Sequence, residues 1–317
     1  MLVVESRLHL DHRPRHELHG GELRANLDTP ERIEALREGL VSVLDVHVEQ
    51  AEPCPESELI RVHDPSLVRH TRDVCASLAP GQEWFPEIFP RDHALDTYSP
   101  LYRETHRCAL AAAGCAAAAA RAIKAGERIA YALSRPPGHH ADRFHRGGIC
   151  YYNNAALAAD MLADDVRVAV LDLDMHFANG TQSILESHPR ARCWSIHAST
   201  ETAYPFSGGE ASELNLPLLP GSGDDAFLGA LDDALVRIAS FRAEYLVVSI
   251  GYDGHHLDPD NDVLTLSDQV YENVGRRLAS FDRPILLVQE GGYRPETISD
   301  LAVSLCAPLV GDDRWQT

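Results

Sequence analysis

Six short runs rich in β-branched and aliphatic residues, at 2–4, 128–133, 166–171, 193–196, 245–250 and 284–288, alternate with segments of helical character. Runs that are apolar on nearly every residue belong to strands covered on both faces, and such strands pair in parallel. Parallel neighbours need crossover connections. The helical patterns at 29–43, 65–77, 104–125, 154–163, 182–187, 224–240, 267–279 and 295–306 supply them. The alternation predicts an α/β fold, a three-layer αβα sandwich around a mostly parallel, doubly wound sheet. Thr29 reads as the N-cap of the first of these helices, with Pro30 in its first turn. The Ala-rich stretch 109–125 is interrupted by Gly114, Arg121 and Lys124, so it reads as a soluble helix of high intrinsic propensity and not as a membrane span. No repeat, low-complexity tail or linker divides the 317 residues, and one domain over 1–317 is expected. The segment 79–100, rich in Pro and aromatics and without periodicity, reads as a long functional loop.

Charge and cysteine usage narrow the function. Asp plus Glu number 48 against 28 Lys plus Arg, a formal net charge of -20. That balance argues against a nucleic-acid partner, which needs a basic face, and suits a cationic substrate, although solubility alone accounts for it too. Seven Cys, an odd number without a CxxC pair, read as reduced and mostly buried thiols of a cytoplasmic protein. The opening MLVVESRLHLDHRP carries acid and His where a signal peptide is apolar, and no membrane partner is expected.

Four segments bearing His, Asp or Tyr each follow one of the apolar runs, where open parallel sheets bind their ligands. In RPPGHHA (135–141) a Pro-Pro-Gly turn presents His139 and His140 to a reacting water. In DLDMHFANGTQ (172–182) Asp174 and His176 are two residues apart, which puts both on one side of an extended segment; oxygen and imidazole donors together suit zinc. Asp172 has the same parity and lies one step deeper. In SIGYDGHHLDP (249–259) Asp253 is the natural third ligand, leaving a fourth position open, while His255 and His256 read as loop or rim residues. In QEGGYRPE (289–296) Gly291 and Gly292 let the backbone approach a ligand, and Tyr293 can offer its hydroxyl to a developing oxyanion. Singly, each has a plainer reading: a surface His pair, a solvated Asp–His pair, a Gly-Gly turn with a packed Tyr. Together they are the ingredients of metal-assisted amide hydrolysis.

In this order and at these separations the motifs resemble the arginase/deacetylase-fold amide hydrolases, over about 17–296. HELHGGELRANLDTPERIEAL (16–36), HADRFHRGGICYYNNAALAA (140–159) and NGTQSI (179–184) resemble the acetylpolyamine amidohydrolases more than the histone deacetylases. The resemblance implies one Zn2+ per chain on Asp174, His176 and Asp253, a donor set that ferrous iron also accepts. It implies His140 as general base with Asn179 as its partner, His139 oriented by Asp172, and Tyr293 as oxyanion donor. It further implies structural K+ at Asp172 and Ser195, and Glu17 near the channel, where it attracts a distal ammonium. The implied activity is deacetylation of a small cationic acetylated amine such as an acetylpolyamine, or of acetyl-lysine in proteins, by a protein of the homodimer-forming kind. A manganese arginase relative would need more Asp ligands than this chain offers, and a non-catalytic relative would not need all of these residues.

The chain departs from the family pattern in places. His176-Phe177-Ala178 stands where His-His-Gly is usual, and Ile149 replaces an aromatic before Cys150, leaving Tyr204 as the facing channel wall. The segment 79–106 is shorter than the family's dimer-building insertion, with Asp92, Asp96 and Glu104 as candidates for acidic charge at the rim.

Overall fold

The computed structural model describes residues 1–311; residues 312–317, the end of the expected domain, lie outside it. In chain order the strands are β1 (Leu2–Glu5), β2 (His16–His19), β3 (Glu22–Ala25), β4 (His47–Gln50), β5 (Ile129–Ala132), β6 (Val168–Asp172), β7 (Ala191–Ala198), β8 (Asn215–Leu218), β9 (Tyr245–Ile250) and β10 (Ile285–Gln289). The helices are α1 (Pro30–Val43), α2 (Glu56–Leu59), α3 (Pro65–Ser77), α4 (Thr105–Lys124), α5 (Asn154–Leu162), α6 (Asn179–Leu185), α7 (Asp224–Phe241), α8 (Asp268–Ser280) and α9 (Pro295–Leu309). Among the described residues, eight strands form one sheet in the order β4-β1-β5-β10-β9-β6-β7-β8, and every pairing is parallel.

The three layers follow from strand alternation. Val3, Tyr131, Ala169, Leu171, Leu246, Val248, Ile285 and Leu287 pack on one face with the apolar sides of α1, α7, α8 and α9. Their neighbours Leu2, Val4, Ala130, Ala132, Val168, Val170, Val247, Leu286 and Val288 pack on the other face with α4 and α5. The six apolar runs are therefore strands covered on both faces, as their composition predicts.

Four strands escape the apolar pattern, for local reasons. Edge strand β4 (HVEQ) is largely exposed, and edge strand β8 (NLPL) contains Pro217, which lacks the N–H a central strand would need. Strands β2 and β3 are polar and pair antiparallel as a hairpin, closed by Gly20 and Gly21 at φ 57° and 90°. Thr29 does occupy the N-cap of α1 with Pro30 after it, but its side chain accepts no capping bond. Helix α6 starts at Asn179, earlier than the expected 182. No helix among the described residues is long and apolar enough to cross a membrane.

Gly114 looks misplaced in the Ala-rich α4, where Ala is the better helix former by about 1 kcal/mol. Packing overrides propensity there: a Cβ on Gly114 would lie 2.1 Å from the Glu52 carbonyl oxygen, in the strip of chain whose Cys54 N–H bonds Leu110 O. Gly229, exposed on α7, has nothing within 4 Å of an added Cβ. Gly114→Ala should therefore lower stability by about 1–3 kcal/mol, and Gly229→Ala should raise it by about 0.5–1 kcal/mol. Urea midpoints check both; a Gly114→Ala midpoint at or above that of the parent would contradict the packing argument.

Candidate active site

The four central strands β5, β10, β9 and β6 are neighbours in the sheet, and each carries one of the four motifs beyond its carboxyl end. Adjacency of the strands is what brings motifs distant in sequence into one place. There a cavity of about 360 Å³ opens, lined among others by Glu17, His139, His140, Ile149, His176, Tyr204, Gly291 and Tyr293.

Donor atoms of Asp174, His176 and Asp253 lie within 4.8 Å of one another. His176 Nδ1 is 3.1 Å from Asp174 Oδ1 and 3.1 Å from Asp253 Oδ2. Both carboxyls are buried. Backbone N–H groups hold them in place: Gly291 and His176 donate to Asp174 (2.8 and 2.9 Å), and Met175 donates to Asp253 (3.1 Å). Burial and then the neighbouring Asp174 charge push Asp253 up to about 7. Burial opposes ionisation of Asp174 too, but His139 and His176 outweigh it and hold that carboxyl well below the usual range. Two buried carboxylates facing each other repel when both are ionised, and a dication relieves that repulsion. Gly251 and Gly291 form the back of the cradle; a Cβ on either would sit 2.4 or 2.6 Å from Asp174 Oδ2. Mixed N/O donors, burial and a backbone that leaves space only for the carboxylates all fit a metal such as zinc.

The adjacent histidines stand 3.9 Å apart, ring to ring, in opposite electrostatic settings. His139 Nδ1 is 3.4 Å from Asp172 Oδ2 and its Nε2 is 3.6 Å from Asp174 Oδ1. Burial opposes its charge, yet Asp174 and Asp172 raise it to about 10. His140 Nδ1 meets a neutral partner, Asn179 Oδ1, at 2.7 Å. Burial, with His139 and His176 behind it, keeps His140 well below the ordinary imidazole value. The pair therefore divides into one cationic and one neutral imidazole, and the Asn179 bond implies that His140 carries its proton on Nδ1.

Tyr293 lines the cavity; its N–H donates to Asp258 Oδ2 at 2.6 Å, and its ring lies under the Arg32 guanidinium at 4.5 Å. Glu17, from β2, is largely buried and 2.8 Å from His19 Nε2. Tyr204 packs edge-on to His140 at 4.6 Å. Ile149 sits in a tight turn at φ 58°. Ser195 pairs with Asp172 across β6 and β7; its hydroxyl accepts from Ala178 N–H at 3.3 Å and meets His197 Nδ1 at 3.0 Å.

His255 is buried against Asp268 and His256 is exposed, so neither joins the three donors. Of the proposed rim acids, Asp92 is buried against Arg91, the backbone N–H groups of Glu87 and Ile88 donate to it, and Glu104 precedes α4. Asp96 is the structural one of the three. It accepts from Gly148 N–H (2.9 Å), Tyr98 N–H (2.7 Å) and the Tyr204 hydroxyl, tying three channel walls together. Asp260, two residues past the end of the third motif's Leu-Asp, borders the cavity with Oδ2 3.7 Å from His176 Nε2. Its Asp-Pro-Asp spelling was the available signal. Glu290 lies inside the quoted QEGGY segment, and its Oε2 accepts from Gly138 N–H (2.7 Å) and His139 N–H (3.1 Å).

Asp96→Ala would strand three donors, two of them backbone. The expected result is a loss of about 1–3 kcal/mol and faster amide exchange at Gly148 and Tyr98, read by hydrogen–deuterium exchange. Unchanged protection at both amides would show that the walls stand without Asp96.

Known proteins resemble this chain over most of its length. The family model for the histone deacetylase domain matches residues 26–309. Acetylpolyamine amidohydrolase 1 of Pseudomonas aeruginosa is 32% identical, over 99% of this chain and 100% of that protein. The acetylpolyamine amidohydrolase of Burkholderia pseudomallei is 34% identical, over 90% and 92%. A crystal structure of the acetylpolyamine aminohydrolase from Burkholderia pseudomallei superposes with a TM-score of 0.92 at 31% identity, covering 98% of this chain and 99% of that one.

Proposed function

This chain belongs to the histone deacetylase family, and from that premise we propose that it is a zinc-dependent amidohydrolase that deacetylates a small N-acetylated amine such as an acetylpolyamine. The observation that carries the reading is the trio Asp174, His176 and Asp253 beside a histidine pair split into cation and base, in a cavity with Glu17 and Asp260 among its walls. The two acetylpolyamine amidohydrolases aligned over nine-tenths or more of the chain support the substrate class.

Asp174, His176 and Asp253 would hold the Zn2+, whose Lewis acidity lowers the pKa of a water and polarises an amide carbonyl. Neutral His140, with its Nδ1 proton committed to Asn179, takes the proton of the attacking water. Cationic His139 steadies the developing negative charge and is poised to return a proton to the leaving amine. The Tyr293 hydroxyl donates to the oxyanion. Asp172 keeps His139 charged, and with Ser195 opposite it would hold a structural K+. Free, buried thiols throughout the described cysteines fit a cytoplasmic enzyme.

The test is acetate release by zinc-loaded protein from acetylputrescine, acetylspermidine, acetylcadaverine and acetyl-lysine peptides, with and without chelator. Chelator-sensitive turnover favouring the small amines is expected; preference for the peptides would make it a protein deacetylase instead. Tyr293→Phe should cost about 10²–10³-fold in kcat and His140→Ala about 10²–10⁴-fold, with the fold unchanged. Full activity in both would sink the mechanism.

Glu17 gives a pH dependence with a definite sign. Burial, then Asp260, pushes its carboxyl up to about 8, so it is neutral below that pH and anionic above it. An ammonium is attracted only by the anion. KM for acetylputrescine should therefore fall from about pH 7 to about pH 9, while the substrate amine stays charged. Glu17→Gln should flatten that slope; a slope that survives the substitution would assign it to another group.

A further inference from the structure

A second group of donors lies beside the same cavity, two of the three in its wall. Atoms of His139, Cys150 and Glu290 come within 4.8 Å of one another, and all three residues are buried. Cys150 and His139 both line the cavity, so an ion entering by the channel can reach them. Glu290 Oε1 is buried with no hydrogen-bond partner. Leaving a buried carboxylate oxygen unpaired costs about 1–3 kcal/mol or more, which a ligand at that atom would recover. The thiol is held firmly. Reciprocal bonds between Gly147 and Cys150 close the turn (3.1 and 2.9 Å), and Ile149 is forced to φ 58°, a conformation that β-branched residues rarely adopt. The acetate-like oxygen donor, the imidazole and the thiolate make a set that borderline and soft divalent ions prefer. Tetrahedral zinc places such donors about 3.3–3.8 Å apart, so the trio needs to close by no more than about 1.5 Å.

We propose that His139, Cys150 and Glu290 form a second, inhibitory site for zinc or another thiolate-binding divalent ion, separate from Asp174, His176 and Asp253. The metal takes Cys150 as thiolate, His139 as neutral imidazole and Glu290 as carboxylate, and the protons these groups carried go to solvent. The occupied site ties up His139, which the reaction uses, and places an ion at the cavity wall formed by His139 and Cys150. An excess of free zinc then switches the protein off without displacing the first ion. The loss of activity rests on the deacetylase reading above; the binding does not.

The two donor sets differ in one spectroscopic respect: only the second contains sulfur. The test titrates Co2+ into reduced protein already holding one equivalent of Zn2+ and follows the near-ultraviolet sulfur-to-cobalt charge-transfer absorption. Wild type should develop that band as a second equivalent binds, and Cys150→Ser should not, its second ion held at least about tenfold more weakly. In parallel, acetate release is measured against added Zn2+, each protein normalised to its own rate with one equivalent. Wild type should lose activity as zinc is added, and the variant should hold its rate over the same range. No thiolate band in wild type overturns the site, whether or not the variant folds. The same band in Cys150→Ser also overturns it, because another cysteine would then be the ligand. Equal zinc inhibition of both proteins overturns the inhibitory role. Absence of acetate release from wild type on every substrate would remove the deacetylase reading, and the cobalt band would still decide the site.

Discussion

A buried carboxylate with two guanidinium groups on it holds the loops of this protein in register. Asp28 is buried, accepts from Arg32 and from Arg135 Nε (2.9 Å), and has His12 Nε2 3.4 Å away. The two cations continue outward. Arg135 donates to the carbonyls of His9 (2.6 Å), His12 (2.7 Å) and Asp28, fixing the N-terminal segment to the loop that bears the histidine pair. Arg32 donates to the carbonyls of Glu290 (2.6 Å) and Gly292, fixing α1 to the loop that bears Tyr293. These loops lack regular backbone pairing, and their buried carbonyls need donors. Arg supplies several from one rigid fork, which Lys cannot. Burial works against the charge on Asp28, but the two arginines hold its carboxyl well below the usual carboxylate range. Removing one partner of such a group leaves an uncompensated buried charge, at a cost of about 3–5 kcal/mol.

This network also sets the field of the site. Arg32 lies over the Tyr293 ring and draws electron density from the phenol, against the burial that keeps the hydroxyl protonated. Behind the site, then, the charge is positive; the cavity wall carries the acidic Asp260 and Asp262, and Glu17 adds its charge only above about pH 8. A neutral amide with a cationic tail is oriented by that gradient, reacting group inward and ammonium outward.

The fold and the gathering of the candidate site residues were legible in sequence for one reason: each motif follows a strand. Asp174, His176, Asp253, His139, His140 and Tyr293 are all within a few residues of an apolar run that fixes where they emerge. Groups that act across long sequence separations left no such mark. Asp28 and Arg135 are 107 positions apart, Arg32 and Gly292 260, Asp96 and Tyr204 108, and nothing local to any of them indicates its partner. Strands β2 and β3 were hidden for a related reason. They hold Glu17 at the channel, but β2 buries only that residue and β3 is exposed throughout, so they lack the period of a core strand. Gly114 was hidden too, since its meaning lies in the Glu52 carbonyl that approaches it.

The histidine pair shows how little covalent difference is needed to divide two roles. His139 and His140 share a backbone turn, a depth of burial and a ring separation of 3.9 Å. Burial alone would leave both neutral. What separates them is the partner: two carboxylates for His139, an amide oxygen for His140. Once His139 is charged, its proximity further disfavours a proton on His140, so each state stabilises the other. The arrangement requires Asp172 and Asn179 on opposite sides of the turn. β6 and the first turn of α6, seven residues apart in one strand–loop–helix unit, place them there. The short loop between them carries Asp174 and His176, so a single connection positions two metal-ligand candidates and decides the charge of both histidines.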